Sequence, residues 1–462
     1  MTWSESTRYL VAASLLLAYL SLCGGIYLAR RRKQQQALRD AAALTPAADN
    51  TAAWLIGFAS QTGYAEQLAW QTARALHTAG VPAKVRALST IGIDDLMQAE
   101  RALFVISTYG EGDPPDNASL FAGKIMQTKL SLGHLHVGML MLGDRSYKNF
   151  CGFGRALETW LQSCGAQAMF DSIALDNADE VALHEWQHHL AREAGTNDVP
   201  DWQAPSFQQW RLTTRRLLNP GSAGAPSFHI ELMPIDAASA DWQAGDLMQV
   251  LAPADQTRPR EYSIASIPAD GRVHLLVRQE RHGDDSLGVA SGWLTAEAEV
   301  GTLIHARLRQ HSNFRIAENA QRPLILIGNG TGLAGLRSHL RARAASVSTY
   351  KDASRNWLIF GERNAAHDSY YRDEMDAWQK QGILQRVDLV FSRDQAEKMY
   401  VQDRLRDAAE TVRQWLTDDA AIYVCGSLEG MAGGVEAALN DIIGVAAVEQ
   451  LIAQGRYRRD VY

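Results

Sequence analysis

Cysteine is scarce in this chain. Cys23, Cys151, Cys164 and Cys425 are all it has, and no two form a C-x-x-C pair. That excludes a disulfide framework and fits a reduced compartment. Histidines with metal-ligand spacing are missing too. His134/His136 and His188/His189 have no cysteine beside them and read as surface or satisfied core residues, so no metal is expected. Basic excess is also absent. Lys and Arg total 45 against 52 Asp and Glu, a net charge of −7, and no nucleic acid partner is expected. Long apolar runs are lacking everywhere except at the start.

That one run, Leu10 to Ala29, holds no charged residue. At 1.5 Å per helical residue, about 20 residues span the roughly 30 Å hydrocarbon core of a bilayer. Tyr9 and Tyr27 lie near its ends, and Arg30, Arg31, Arg32 and Lys33 follow at once. Counting Lys and Arg on each side places the amino terminus outside and the rest in the cytoplasm. A cleaved signal peptide is the other reading, but the run is long and its basic cluster lies on the wrong side. The expectation is a single-pass anchor in the inner (cytoplasmic) membrane, contacting lipid through residues 9–29.

The chain, with 462 residues, is too long for one core. The expected division is an anchor at 1–33, a tether at 34–51, an α/β domain at 52–194, a linker at 195–206, a barrel at 207–319 and a second α/β domain at 320–462.

In the first α/β domain, the apolar run AAWLIGFAS (52–60) reads as a buried strand. It is followed by Gln61-Thr62-Gly63-Tyr64-Ala65-Glu66 and a helical pattern. Ser60, Thr62 and the loop amides suit a phosphate at a helix amino terminus. The loop lacks the Lys of a nucleoside triphosphate loop, which points to a monophosphate such as FMN. Two further apolar strands end in Ser107-Thr108-Tyr109-Gly110-Glu111-Gly112 and Gly143-Asp144-Arg145-Ser146-Tyr147. Ligands of open parallel sheets sit at carboxyl strand ends, so Tyr109 and Tyr147 read as the two walls of a ring site or, more plainly, as loop residues capping the core.

SQTGYAE, STYGEGDPPDNA and LGDRSYKNFCGFGR resemble the three FMN loops of flavodoxin-like domains in diflavin reductases, those of the sulfite reductase flavoprotein and NADPH–cytochrome reductase type. The resemblance implies Ser60, Gln61, Thr62, Gly63, Tyr64 and Ala65 at the phosphate. It implies Thr108, Tyr109, Gly110, Gly143, Tyr147, Asn149 and Phe150 along the ring and ribityl chain. Glu111, Asp113, Asp116, Asp176, Asp179 and Glu180 lie in loops. They read as an acidic rim that steers a basic redox partner, or equally as a solvated surface.

From about residue 207, short strands and turns suggest an antiparallel barrel. Arg260-Glu261-Tyr262-Ser263 offers a forked donor, an aromatic wall and a hydroxyl. Gly288-Val289-Ala290-Ser291 suits a loop opening a helix, with amides for a pyrophosphate. This segment resembles the ferredoxin–NADP reductase-type flavoproteins. The likeness implies Arg260, Tyr262 and Ser263 on FAD, Gly288, Val289, Ala290 and Ser291 at its pyrophosphate, and Arg278 at a phosphate. The long relatives insert a helical connecting domain before this strand. Here too few residues separate Phe228 from Arg260 to hold one, so the chain is a short form in which the FMN and FAD domains join more directly.

Arg322-Pro323-Leu324-Ile325-Leu326-Ile327-Gly328-Asn329-Gly330-Thr331-Gly332 reads as a strand entering a Gly-rich loop, where Gly328, Gly330 and Thr331 let a pyrophosphate approach. Later strands alternate with helices, giving a second doubly wound sheet. Ser392, Arg393, Lys398, Tyr400 and Gln402 follow one of them and suit a ribose 2′-phosphate beside an adenine, hence NADPH. A solvated helix start is the plainer reading of SRDQAEK, and suits Asp394 and Glu397. The SRDQ…K-x-YVQ run is similar to the NADP site of the sulfite reductase family. Asn329 stands where that family has Pro or Ala. Cys425, beside Gly426, suits either a nicotinamide contact or a buried small residue. The resemblance of the terminal RYRRDVY implies Tyr462 as an aromatic gate over FAD, with Ser263, Cys425 and Asp460 assisting hydride transfer.

The expected function is an NADPH-dependent diflavin oxidoreductase passing electrons from NADPH to FAD to FMN and on to a membrane haem or iron-reducing acceptor, ferric-siderophore reduction being one version. The alternatives are the flavoprotein component of sulfite reductase and a non-catalytic membrane scaffold with decayed flavin sites.

Overall fold

The computed structural model describes residues 53–145, 147–176, 179–195, 206–236, 241–346 and 355–462. The expected anchor and tether lie outside these residues, as does most of the expected linker. Among the described residues no single helix is long and apolar enough to cross a membrane.

The first unit is a parallel sheet built from β1 (Trp54–Ala59), β2 (Ala83–Ala87), β3 (Arg101–Ser107), β4 (His136–Gly143), β5 (Gln167–Ala168) and β6 (Ile173–Asp176). Its order is β2-β1-β3-β4-β5, with β6 also on β4, the flavodoxin order. Buried on both faces, β1 and β3 are near-continuous apolar runs. The helix Tyr64–Thr78 and the helix Glu180–Ala194 cover one face, and the helix Gly152–Ser163 the other. Trp186 is fully buried and donates its indole N–H to Thr72 Oγ1 at 3.1 Å, so the largest side chain of that core leaves no polar atom unsatisfied.

The second unit is antiparallel: β7 (Gln208–Leu217), β8 (Ser227–Pro234), β9 (Leu247–Ala252), β10 (Asp255–Ser263), β11 (Val273–Arg278) and β12 (Leu303–Arg309). The order is β10-β9-β12-β7-β8-β11. Ile264 bridges Leu275, which draws the two ends of the sheet together into a barrel around Trp210, Ile230, Val250 and Leu275. No helix lies between β8 and β10 among the described residues. On the barrel's far side, His229, Glu231 and His274 bring their ligand atoms within 4.8 Å of one another. Arg272 already holds Glu231 at 2.7 Å and Arg337 reaches His274 at 3.3 Å, so positive charge surrounds that cluster.

The third unit is a parallel sheet of β13 (Leu324–Asn329), β14 (Asn356–Glu362), β15 (Arg386–Phe391), β16 (Ala421–Gly426) and β17 (Tyr457–Val461), ordered β15-β14-β13-β16-β17. In the β16–β17 register Cys425 faces Asp460 and Gly426 faces Val461. The last strand therefore delivers the carboxyl terminus to the middle of the molecule.

Candidate active site

Three loops meet at the carboxyl ends of β1, β3 and β4. After β1, Gly63 takes φ +88 and ends the loop, and Ser60 Oγ accepts from its amide at 2.8 Å. No side chain caps the helix Tyr64–Thr78, so its first amides face the loop without an internal acceptor. Thr108 Oγ1 is buried with no hydrogen-bond partner. A buried polar atom left unmatched signals a missing group, and a flavin mononucleotide fits these residues. Tyr109 is half-buried and Tyr147 is 45% exposed. Asn149 donates to the Glu111 carbonyl at 2.6 Å, tying the second loop to the third. A Cβ on Gly143 would stand 2.9 Å from the Cys151 amide, so glycine lets the third loop fold back beside Phe150. Gly110 sits at φ +48 and Ala65 is buried beneath the loop.

The second pocket is a cavity of about 260 Å³, near the lower end for ligand clefts. Arg260, Tyr262, Ser263, Arg278, Gly288, Val289, Ala290, Ser291, Thr331 and Tyr462 all line it. These residues come from two strands, one short helix, the Gly-rich loop and the carboxyl terminus. The register of β10 shifts between Asp255 and Arg260, and Arg260 Nη1 donates to the Arg258 carbonyl at 2.8 Å. Arg278 is engaged otherwise than expected: it pairs with the buried Glu362, so its charge is shared before any phosphate arrives.

At the inner end of this cavity Ser263 Oγ donates to Asp460 Oδ2 at 2.7 Å, and Cys425 Sγ lies 3.6 Å from the same oxygen. Burial and the neighbouring Asp460 charge push the Cys425 thiol well above its usual range, so it is a neutral donor here. The Tyr462 hydroxyl donates to Thr331 Oγ1 at 3.1 Å while the residue remains 55% exposed. A flavin with its pyrophosphate at Ser291 and its ring beside Ser263 fits the set.

The third region opens from β13. A Cβ on Gly332 would overlap the Cys425 carbonyl oxygen, so glycine is what lets the loop pass over β16. Gly328 and Gly330 belong to the same turn. Asn329 has a local explanation: its side chain accepts the Ser427 amide at 3.0 Å. The SRDQAEK stretch differs from a helix start. It forms turns, and the helix begins only at Val401. Asp394 instead accepts from Asn364 Nδ2 and the Ala365 amide, both at 2.9 Å. Arg393, Lys398 and Tyr400 are exposed, and neither cation has a carboxylate partner among the described residues. Ser392 bonds the Glu362 carbonyl at 3.3 Å, and Gln402 Oε1 is buried without a partner.

Sequence reasoning missed the groups that join these regions. Asn313 Nδ2 donates to the Ser60 and Gln61 carbonyls at 2.5 and 3.0 Å. Fully buried His311 meets the Gln61 carbonyl through Nε2 at 3.1 Å and faces Asp460 through Nδ1 at 3.8 Å. Arg459 Nε reaches both oxygens of Asp116 at 3.0 and 3.1 Å, and its Nη1 reaches Glu436 at 2.6 Å. Tyr109 donates to the Val461 carbonyl at 3.0 Å. Asp116 is therefore an internal partner, not part of a free acidic rim, and Asp179 caps its own helix through the Val181 amide at 2.9 Å.

Comparison with known proteins agrees with this division. A flavodoxin family model matches residues 56–186 and an oxidoreductase NAD-binding domain model matches residues 326–437. The chain is 28% identical over 539 aligned positions to the sulfite reductase [NADPH] flavoprotein alpha-component of Neisseria meningitidis serogroup B, covering 87% of this chain and 88% of that one. It is 27% identical over 538 positions to the protein of the same name from Vibrio cholerae serotype O1, covering 88% and 87%. With that of Aliivibrio fischeri the identity is 28% over 540 positions, covering 88% of each. These alignments are longer than the 462-residue chain itself, so the relatives carry residues with no counterpart here. The two flavin sites, the nicotinamide loop and these likenesses lead to one conclusion: the chain is an NADPH-dependent flavoprotein oxidoreductase that works with FMN, FAD and NADPH, similar in its domains to the diflavin reductases.

Proposed function

We propose that this flavoprotein oxidoreductase is anchored in the inner membrane by residues 9–29 and delivers electrons from NADPH to a membrane haem or iron-reducing acceptor. The observation that carries the direct two-flavin route is the last strand. Asp460 of β17 bonds Ser263 in the FAD cavity, and the carbonyl of the next residue, Val461, accepts from Tyr109 in the FMN pocket. One strand thus touches both cofactor sites with no connecting domain between them.

A bound flavin accepts a hydride and releases electrons singly. The chain's own groups prepare that exchange. Ser263 is held by Asp460, and Cys425 stays a protonated thiol beside them. Tyr462, tethered only through its hydroxyl and its backbone, stands where a nicotinamide ring has to enter. Arg393 and Lys398 offer two exposed cations to a 2′-phosphate, which favours NADPH over NADH.

The anchor rests on the uncharged run at 10–29 and the four basic residues after it. A ferric siderophore is one acceptor that a membrane setting suits. A second reading, the flavoprotein partner of a sulfite-reducing haem protein, is favoured by the names of the relatives. The test is reoxidation of the NADPH-reduced, detergent-solubilised protein by a membrane cytochrome fraction, a ferric siderophore, or a sulfite reductase haem subunit. Reoxidation by the first two supports the proposal. Reoxidation by the haem subunit alone, or recovery of the whole chain without detergent, defeats it.

A further inference from the structure

The FMN phosphate loop, Ser60 to Ala65, contains no cation. A phosphomonoester carries about −1.5 to −2 charge at neutral pH, and hydroxyls with amides alone leave that charge to the helix terminus. An acidic side chain beside the loop, Asp116, accepts from Gln61 Nε2 at 3.2 Å and is itself held by Arg459.

One further cation does reach the loop, and it comes from the other half of the molecule. Arg309 ends β12, which β9 separates from the FAD strand β10. One arm of its guanidinium pairs with Glu261, the residue between Arg260 and Tyr262, and the other donates to Thr62 Oγ1. The guanidinium also sits 5.5 Å from the centre of the Tyr64 ring. The side chain is 19% exposed. Thr62, having accepted from Arg309, keeps its own hydroxyl proton to donate. The backbone following Arg309 fixes this contact. A Cβ on Gly63 would lie 3.3 Å from the Gln310 carbonyl, and His311 and Asn313 hold the carbonyls of Gln61 and Ser60.

We propose that Arg309 of the FAD barrel completes the FMN phosphate site from across the domain boundary, directly and through the Thr62 hydroxyl. The inference rests on the FMN reading of the first pocket. Burial draws the Arg309 guanidinium down to about 10, still far above neutral pH, so it meets a phosphate as a full cation. The consequence is that docking of the two halves and retention of FMN are one equilibrium. FMN binds most tightly when the halves are together, and the two halves bind each other most tightly when FMN is present.

The test uses the full-length protein stripped of FMN, with FMN and riboflavin as probes followed by flavin fluorescence quenching. Riboflavin has the same ring and ribityl chain but no phosphate. For Arg309→Gln the FMN dissociation constant is expected to rise about tenfold or more, the scale of a lost charge-assisted hydrogen bond. Riboflavin affinity is expected to change less than about twofold. Arg309→Lys should recover part of the loss, and Thr62→Val should lower FMN affinity without adding fully to Arg309→Gln. Retained FAD content reports that each variant is folded. Equal losses for both probes, or no loss for FMN, overturn the proposal. A wild-type protein that binds riboflavin as tightly as FMN, or neither, overturns the FMN reading itself.

Discussion

The molecule prepares for phosphate in two opposite ways. The FMN loop is partly to fully buried along its length, offers amides and hydroxyls, and is closed over by Arg309, His311 and Asn313 from another domain. The nicotinamide side presents Arg393 and Lys398 on an exposed turn, with nothing packed over them. The first arrangement suits a resident group that must not leave. The second suits a substrate that arrives and departs every turnover. Burial makes each hydrogen bond count for more but demands a partner for every polar atom. Exposure costs strength and permits exchange.

The largest expected effect breaks the exposed side. Arg393→Ala with Lys398→Ala should lower kcat/KM for NADPH by about a hundredfold, taking about tenfold for each charge-assisted contact. NADH should be used as before, and steady-state kinetics with both coenzymes reads the difference. Equal losses for NADH would mean that the turn positions the whole dinucleotide.

Next comes the buried side. Arg459→Ala leaves Asp116 and Glu436 without their shared cation, and removing one member of such a pair costs about 3 kcal/mol. The first loss should fall on the docked FMN domain. Stopped-flow reduction of FAD by NADPH should continue while electron arrival at FMN slows, and added salt should mimic the change only weakly. Slowing of both steps together would place the ion pair in the FAD site's own support.

Tyr462→Ala should act between the two regions by a smaller amount. Removing an aromatic tethered at Thr331 and half exposed to solvent should slow nicotinamide release and narrow the NADPH/NADH preference several-fold, about 1 kcal/mol. Unchanged product inhibition by NADP would refute a gating role.

The smallest effect belongs to neither phosphate region and serves as a control. Burial, with Arg337 nearby, lowers His274 to about 4 and lowers His229 as well, while Arg272 and His229 hold Glu231 down at about 2. The unfolded chain takes up these histidine protons near pH 6.5 but the folded one resists. Stability from the histidines is therefore complete above 6.5 and lost as pH falls toward about 4, and that from Glu231 is lost below about 4.5. His274→Gln should flatten the upper part of that acid limb by about 1 kcal/mol after allowance for its partial exposure. Thermal melts between pH 7 and 4 measure it. FMN and NADPH affinities at pH 7 should not move.

Much of each pocket was legible because the loops are local. A strand, a glycine and a helix start are written within about a dozen residues. Ser60 to Tyr64, Arg260 to Ser263 and Gly328 to Thr331 follow that grammar. The SRDQAEK turn was less legible, since Asp394 is drawn off to cap the Asn364–Ala365 turn 29 or 30 positions earlier. Asp116 misled for the same reason: an acidic residue in a loop reads as solvated until an arginine 343 positions away is found against it.

The amino-acid order alone determined the main strands, the three cofactor loops and the uncharged run at the start. Each depends on periodicity, on turn chemistry or on length measured along the chain. Only tertiary structure decided that Arg309, His311, Asn313 and Arg459 close the FMN site, and that Cys425 and Asp460 share a hydrogen-bonded corner with Ser263. Those contacts join residues 35 to 343 positions apart. Hydrophobic pattern says which face of a segment turns inward, but it does not say which distant surface that face will meet.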